Sequence, residues 1–407
     1  MDDVISRIEA LALHSDSSDN YTRTYLTPAH QAAARQLAAW MEEAGMQVRV
    51  DAVGSVIGRY EAASPRSPGT TILIGSHFDS VRNGGKYDGN LGILVGIACV
   101  AELARAGERL PHAIEVAALS DEEGARFQTS FLASRAMLHG EKAMRPLLER
   151  TDAGGTTLAQ AMRAAGLDPE STDSARIDPA TLAAYVEVHI EQGPVLLQAG
   201  RPLGVVTSIA SGARYLVRVR GEPGHAGTVP MAGRRDALAA AAEMVLAVEA
   251  QARTVGGVGT VGLLEVANGT GNVIPGEATF TMDLRAPDDA RREKLERAVV
   301  AKVEAIAARR GVRVEAGKHH DVRASPCAEW LQDGLEESIR RAGADPMRLP
   351  SGAGHDAMIF AEATDTAMLF VRCGAGGVSH NPAETVTRED AQIAVRALLD
   401  FLRTIGA

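Results

Sequence analysis

At 407 residues, with 45% hydrophobic and 23% charged side chains, the chain can pack two domains of ordinary globular composition. A net charge of −10 argues against holding a polyanion non-specifically, and 4% aromatic residues leave little for stacking on bases, so no nucleic-acid partner is expected. No apolar run reaches the roughly 18 residues of a membrane span, so no membrane partner is expected either.

The opening MDDVISRIEALAL lacks a basic start and a cleavable apolar core, so it reads as a helix over 2–14 and not as a signal peptide. Cys99, Cys327 and Cys373 stand far apart with no Cys-x-x-Cys pattern, which fits neither a disulfide framework nor a structural zinc site; the reducing cytoplasm is the expected location. A helix over 28–45 has Thr27 as its cap, Pro28 at its first position and Gly45 at its end. Strands follow at 46–52, 55–60 and 70–76, then an apolar helix at 89–107 and a buried strand at 112–120. Helical pieces fill 131–166, and strands return at 185–193 and 203–210. This alternation predicts an α/β domain with a largely parallel or mixed sheet.

The pattern changes near Ser211. Strand 213–220, helix 234–253, strands 257–267 and 276–286, helix 289–310 and strand 311–317 spell βαββαβ, the ferredoxin-like split unit. Its strands alternate, as in Thr279 to Leu284, so one sheet face is covered and the other is open to water or a partner. After Ala324 the α/β character resumes, with helix 328–342, a glycine-rich turn Ser351 to Gly354, helix 355–363, strand 366–372, loop 373–386 and helix 387–405. The expected organisation is a discontinuous larger domain, 1–210 and 325–407, with a smaller α+β domain inserted at 211–324.

The chemistry gathers at strand ends, where open α/β sheets bind ligands. The stretch from Thr70 to Asn90 releases His77 and Asp79 from a strand and Asp88 from a glycine-rich loop. Imidazole and carboxylate together suit Zn²⁺, Mn²⁺, Co²⁺ or Ni²⁺. Asp79 is spaced to hold the other ring nitrogen of His77. Glu122 and Glu123 follow strand 112–120, His189 and Glu191 end strand 185–190, and His380 follows strand 366–372. Four such strand ends in one domain are best explained by two metal ions. Adjacent glutamates at a strand end point in different directions, so one can bind metal while the other serves as base to the reacting water. Arg285 at the end of a strand is either a bidentate carboxylate clamp or half of a surface ion pair.

The segments GSHFDS, Asp88-Gly89, DEEGARF, HIEQGP, GEPGHAGTVPM and SHNPAE, in this order, resemble the co-catalytic zinc aminoacylase/carboxypeptidase superfamily. Within it they resemble the hydantoinase/carbamoylase amidases, which comprise N-carbamoyl-L-amino-acid hydrolases, β-ureidopropionases and allantoate amidohydrolases. HIEQGP is the segment that separates these amidases from the peptidases. The resemblance implies a zinc-peptidase-like catalytic domain, two divalent ions per subunit, and an inserted lid domain that also forms a homodimer. It implies that Asp88 bridges the ions, that His77, His189, Glu123 and His380 complete them, and that Glu122 is the general base and later acid. It implies that His225 donates to the oxyanion, reaching the partner subunit's active site, and that Asn272 and Arg285 grip a substrate carboxylate. Gln192 is similar to the residue that meets the ureido or carboxylate end in relatives, and Gly354 offers a backbone contact. A non-proline cis peptide after Asp88 is a further feature of many relatives. The activity implied is hydrolysis of the ureido C–N bond of an N-carbamoyl-L-amino acid. The alternatives are an allantoate amidohydrolase, an aminoacylase or dipeptidase, or a non-catalytic ureido-binding protein.

Overall fold

The structure is a computed structural model that describes residues 3–64 and 71–405. Asp2 and Thr70, where the first helix and third strand were expected to begin, lie outside the described residues. The chain forms two compact units, one of Met1–Thr207, Cys327–Leu349 and Gly354–Ala407, the other of Ser208–Pro326 and Pro350–Ala353. No helix among the described residues is long and apolar enough to cross a membrane.

The first unit is built on a mixed sheet ordered Gln47–Val50, Val56–Tyr60, Ala113–Leu119, Thr71–His77, Leu182–Ile190, Thr366–Val371, Leu203–Ile209. The strands at its centre, Ala113–Leu119, Thr71–His77, Leu182–Ile190 and Thr366–Val371, run parallel, and their flanks are antiparallel. Thr71–His77 is buried at every position, as a strand covered on both faces must be. The helix Asn90–Ala106 lies against it, entered at Gly89 and ended at Gly107, both at positive φ. Gly92 in that helix touches the sheet backbone, for a Cβ there would lie 1.9 Å from Val188 O. The helices Val4–Ala12, Pro28–Glu43, Glu329–Arg341 and Arg388–Thr404 complete the covering layers. Thr27 caps the second of these by accepting from His30 N. Full burial of each Ile, Leu, Val or Phe in this core contributes about 1.5–3 kcal/mol.

The second unit orders its strands Leu264–Val266, Glu277–Ala286, Ser211–Arg220, Arg313–Val322, all antiparallel, with Val258–Thr260 also on Glu277–Ala286. This is the strand order of a ferredoxin-like βαββαβ unit. The helices Ala237–Val255 and Asp289–Arg310 bury the alternate residues Ala213, Val217, Phe280 and Leu284. At the root of the unit Ser208 and Ile209 pair with Pro326 and Ser325.

Three expectations are corrected. The strand expected over 257–267 is two pieces, Val258–Thr260 and Leu264–Val266, separated by an irregular stretch that contains Gly262. The helix expected over 355–363 is only Ala357–Phe360, because Ala363 N and Thr364 N both fold back onto Phe360 O. No peptide bond among the described residues is cis. The turn after Asp88 is made by Gly89 at φ 67°, where a Cβ would lie 2.3 Å from His77 O.

Candidate active site

Parallel pairing brings the ligand-bearing strand ends level. His77 is in register with Leu119, and His189 with Phe370. Beyond these ends the backbone turns through the left-handed region at Asp121 (φ 57°), Gln192 (φ 58°) and His380 (φ 54°), besides Gly89. Such residues mark turns that the surroundings hold in place. Here they aim the side chains of separate loops at one spot.

That spot contains His77, Asp88, His189, Glu122, Glu123 and His380. Asp88 Oδ1 lies 3.3 Å from His77 Nε2 and 3.1 Å from His189 Nε2, while Oδ2 lies 3.3 Å from His380 Nε2. His380 Nε2 is also 3.2 Å from Glu123 Oε1. The two oxygens of Asp88 thus face two separate donor sets, His77–Asp88–His189 and Asp88–Glu123–His380. The ligand atoms within each set lie within 4.8 Å of one another. Glu122 groups with His77 and Glu123 on the same criterion.

The donors are prepared for cations. His77 Nδ1 meets Asp79 O at 3.1 Å and His189 Nδ1 meets Ile190 O at 2.9 Å, so a neutral ring at either position would carry its proton on Nδ1 and leave Nε2 for a cation. The two Nε2 atoms converge at 3.4 Å, an arrangement that suits a shared ion between nitrogen and carboxylate ligands. Asp88 Oδ1, buried there, has no hydrogen-bond partner among the described residues. Burial opposes charge on both rings, but Asp79 and Asp88 at His77, and Asp88 at His189, hold their pKa above the usual imidazole range, so a cation at this spot would take the place of ring protons. Hydrogen bonding to Asp88 and Glu123 lifts the His380 pKa to about 10. Burial opposes the charged form of Asp88, but His189, His380 and His77 hold its carboxyl well below the usual range. Burial pushes Glu122 well above the usual carboxylate range, and Glu123, Asp356 and Asp79 add to this against His77. A carboxyl that readily keeps a proton beside cation ligands suits a group that both takes and returns one.

Several expected residues sit differently. The Asp79 carboxylate is 3.4 Å from His77 Nδ1, but its hydrogen bonds come from Glu122 N and Glu123 N at 3.0 and 3.2 Å. The ring is held by the Asp79 carbonyl instead, and the carboxylate fixes the backbone of the two glutamates. Glu191 joins neither donor set; its carboxylate accepts from Val195 N and Leu196 N, at 2.7 and 2.9 Å, and so anchors the turn that carries Gln192. Gln192 Nε2 donates to Asp88 Oδ2 at 2.9 Å, leaving its Oε1 buried without a partner among the described residues. Gly354 packs on Phe131, where a Cβ would approach to 2.8 Å. The neighbouring His355 ring stands edge-on to His189, centroids 4.5 Å apart.

The second unit brings its own residues together. Gly224–His225 pairs with Val273–Ile274, and Ala226 N donates to Asn272 O at 3.0 Å. His225 Nδ1 accepts from Gly227 N at 3.0 Å, so a neutral ring carries its proton on Nε2 and can donate from there. Arg285 is not free. It holds Asp283 in a two-bond fork at 2.9 Å and donates to Gly352 O at 2.7 Å, leaving the outer N–H groups of its end for another carboxylate. It lines a cavity of about 770 Å³ with Arg214, Thr260, Thr281 and His319.

Sequence reasoning passed over Glu384, buried at 2% exposure beside Asp88. Its only signal was its place in SHNPAE.

Residues 73–404 match the model of peptidase family M20/M25/M40. The chain is similar to the N-carbamoyl-L-amino acid amidohydrolase of Geobacillus stearothermophilus, 42% identical over 94% of this chain and 92% of that protein. It is similar to the allantoate deiminase of Arabidopsis thaliana, 38% identical over 99% of this chain and 82% of that protein. Among solved structures, a hydantoinase/carbamoylase family amidase from Burkholderia multivorans superposes with a TM-score of 0.90 at 31% identity, covering 98% of this chain and 96% of that one.

Proposed function

Because the chain belongs to the hydantoinase/carbamoylase amidases of peptidase family M20/M25/M40, we propose that it is a dimetal amidohydrolase cleaving the ureido C–N bond of an N-carbamoyl-L-amino acid. The products are the L-amino acid, ammonia and CO₂. The observation that carries this reading is Asp88, whose two oxygens face two histidine-bearing donor sets beside a buried Glu122. His77, Asp88 and His189 would hold one divalent ion, and Asp88, Glu123 and His380 the other; Zn²⁺ and Mn²⁺ both suit these donors, as do Co²⁺ and Ni²⁺. When bound, such ions polarise a carbonyl and acidify water.

The protein's own groups do the rest. Glu122 accepts a proton from the attacking water and delivers it to the departing nitrogen. His225 donates from Nε2 to the developing oxyanion. In a homodimer, His225 and Asn272 would come from the neighbouring subunit. Gln192 Oε1 accepts from a ureido N–H, and the outer edge of Arg285 receives the substrate carboxylate. The buried thiols Cys99, Cys327 and Cys373 suit a cytoplasmic enzyme.

Allantoate is the second reading, favoured by relatives named allantoate deiminase at 38–39% identity. It uses the same catalytic residues. The Glu122→Gln variant tests the shared mechanism. It is expected to bind both ions and to lose roughly 10²–10⁴-fold in kcat. Retained turnover contradicts the role of Glu122.

A further inference from the structure

Glu384 lies on the same loop as His380. Its Oε1 accepts from the backbone N–H groups of Tyr87 and Asp88 at 2.9 and 3.0 Å. Its Oε2 lies 2.8 Å from Ser379 Oγ, whose single hydroxyl also stands 3.1 Å from Asp88 Oδ2. Gly85 keeps the slot open, for a Cβ there would lie 2.2 Å from Glu384 Cδ and Oε1. One buried side chain therefore fastens the loop of the bridging carboxylate to a loop nearly 300 residues further along the chain.

A second carboxylate beside Asp88 is a costly way to fill space. It is a good way to accept two N–H bonds strongly where a cation is to be held nearby. The two donor sets also differ in their support. His77 and His189 stand on strands locked by the sheet ladder, whereas His380 and Glu123 stand on loops.

We propose that Glu384 is a positioning residue for the Asp88–Glu123–His380 half of the centre. It registers two loops, so that affinity for the ion held there, with every ligand on a loop, depends on it strongly, while the ion on His77, Asp88 and His189 keeps two of its three ligands on sheet strands and depends on it less. This rests on the dimetal reading above.

The test is calorimetric titration of Mn²⁺ into the full chain stripped of metal, with bound metal counted by elemental analysis. In Glu384→Met, which removes the acceptor, one ion is expected to bind nearly as in wild type and the other about 10- to 100-fold more weakly. Glu384→Gln keeps an oxygen for the two N–H groups and is expected to restore most of the lost affinity. Gly85→Ala displaces Glu384 without altering it and is expected to reproduce the split of Glu384→Met even if that variant does not fold. Wild-type affinity for both ions in Glu384→Met or Gly85→Ala, or equal weakening of both ions, overturns the proposal. Fewer than two ions on the wild-type chain instead overturns the dimetal reading beneath it.

Discussion

Asp79 shows how far a motif reaches. The His-x-Asp spacing puts a carboxylate 3.4 Å from His77 Nδ1, but it does not show that the same carboxylate takes hydrogen bonds from a second loop. Alternation along a strand places i and i+2 on one face, yet the strand ends at His77 and Asp79 already belongs to the loop. There it accepts from the amides of Glu122 and Glu123, so one side chain sets the divergence of the two glutamates. Asp79→Asn keeps one acceptor oxygen and turns an NH₂ toward the other amide. Its kcat is expected to fall about 10- to 100-fold with KM little changed, and steady-state kinetics showing an unaltered kcat would refute this. The residues in the two donor sets stand out in the sequence because imidazole and carboxylate at successive strand ends are chemically distinctive. The anchoring roles of Glu191 and Glu384 do not, because a carboxylate that accepts backbone N–H groups leaves no pattern until the loops have folded.

At the scale of elements, the chain is easiest to read where periodicity and caps agree. Thr27, Pro28 and Gly45 bracket a helix the structure contains, and the apolar run before His77 is a fully buried strand. Reading is weakest where an irregular stretch or a local turn interrupts a pattern, as at Gly262 and after Phe360. The helix Pro28–Glu43 also carries a test of pH dependence. His30 is 1% exposed and stacks on Phe78 with centroids 4.2 Å apart. Burial lowers its pKa to about 3, with Arg23 and Arg126 adding to the effect against Asp79. The folded state thus disfavours the imidazolium that the unfolded chain accepts near pH 6.5. The stability this group contributes is complete above pH 6.5 and is lost as pH falls from there toward 3, by at most about 1.4 kcal/mol per pH unit. Denaturant melts of His30→Phe should show a shallower loss of stability over that window than wild type. Parallel curves would remove His30 as the cause.

At the scale of the molecule, the βαββαβ order argues for an inserted unit, since the swap from parallel to antiparallel connections is written in the element order. What composition could not disclose is that Pro350–Ala353 joins that unit, because Ser351 O accepts from Ala210 N. The proposal that His225 acts on a neighbouring copy has a direct test. Glu122→Gln and His225→Ala chains, each inactive alone, are mixed under conditions that exchange subunits. Activity should return in the mixture, since a heterodimer then has one complete site. A mixture that stays silent while sedimentation shows exchanged dimers would place His225 in its own subunit's chemistry.

The central claim is ureido hydrolysis by a metal-loaded enzyme, and ammonia release tests it most directly. Protein reconstituted with Mn²⁺ or Zn²⁺ is assayed against N-carbamoyl-L-amino acids, N-carbamoyl-β-alanine, allantoate and N-acetyl-L-amino acids, the last followed by amine release. The account predicts ammonia from the N-carbamoyl-L-amino acids at the highest kcat/KM. Preference for allantoate would keep the mechanism and move the substrate. Hydrolysis of the acetyl compounds alone, or no turnover with two ions bound, would contradict the account.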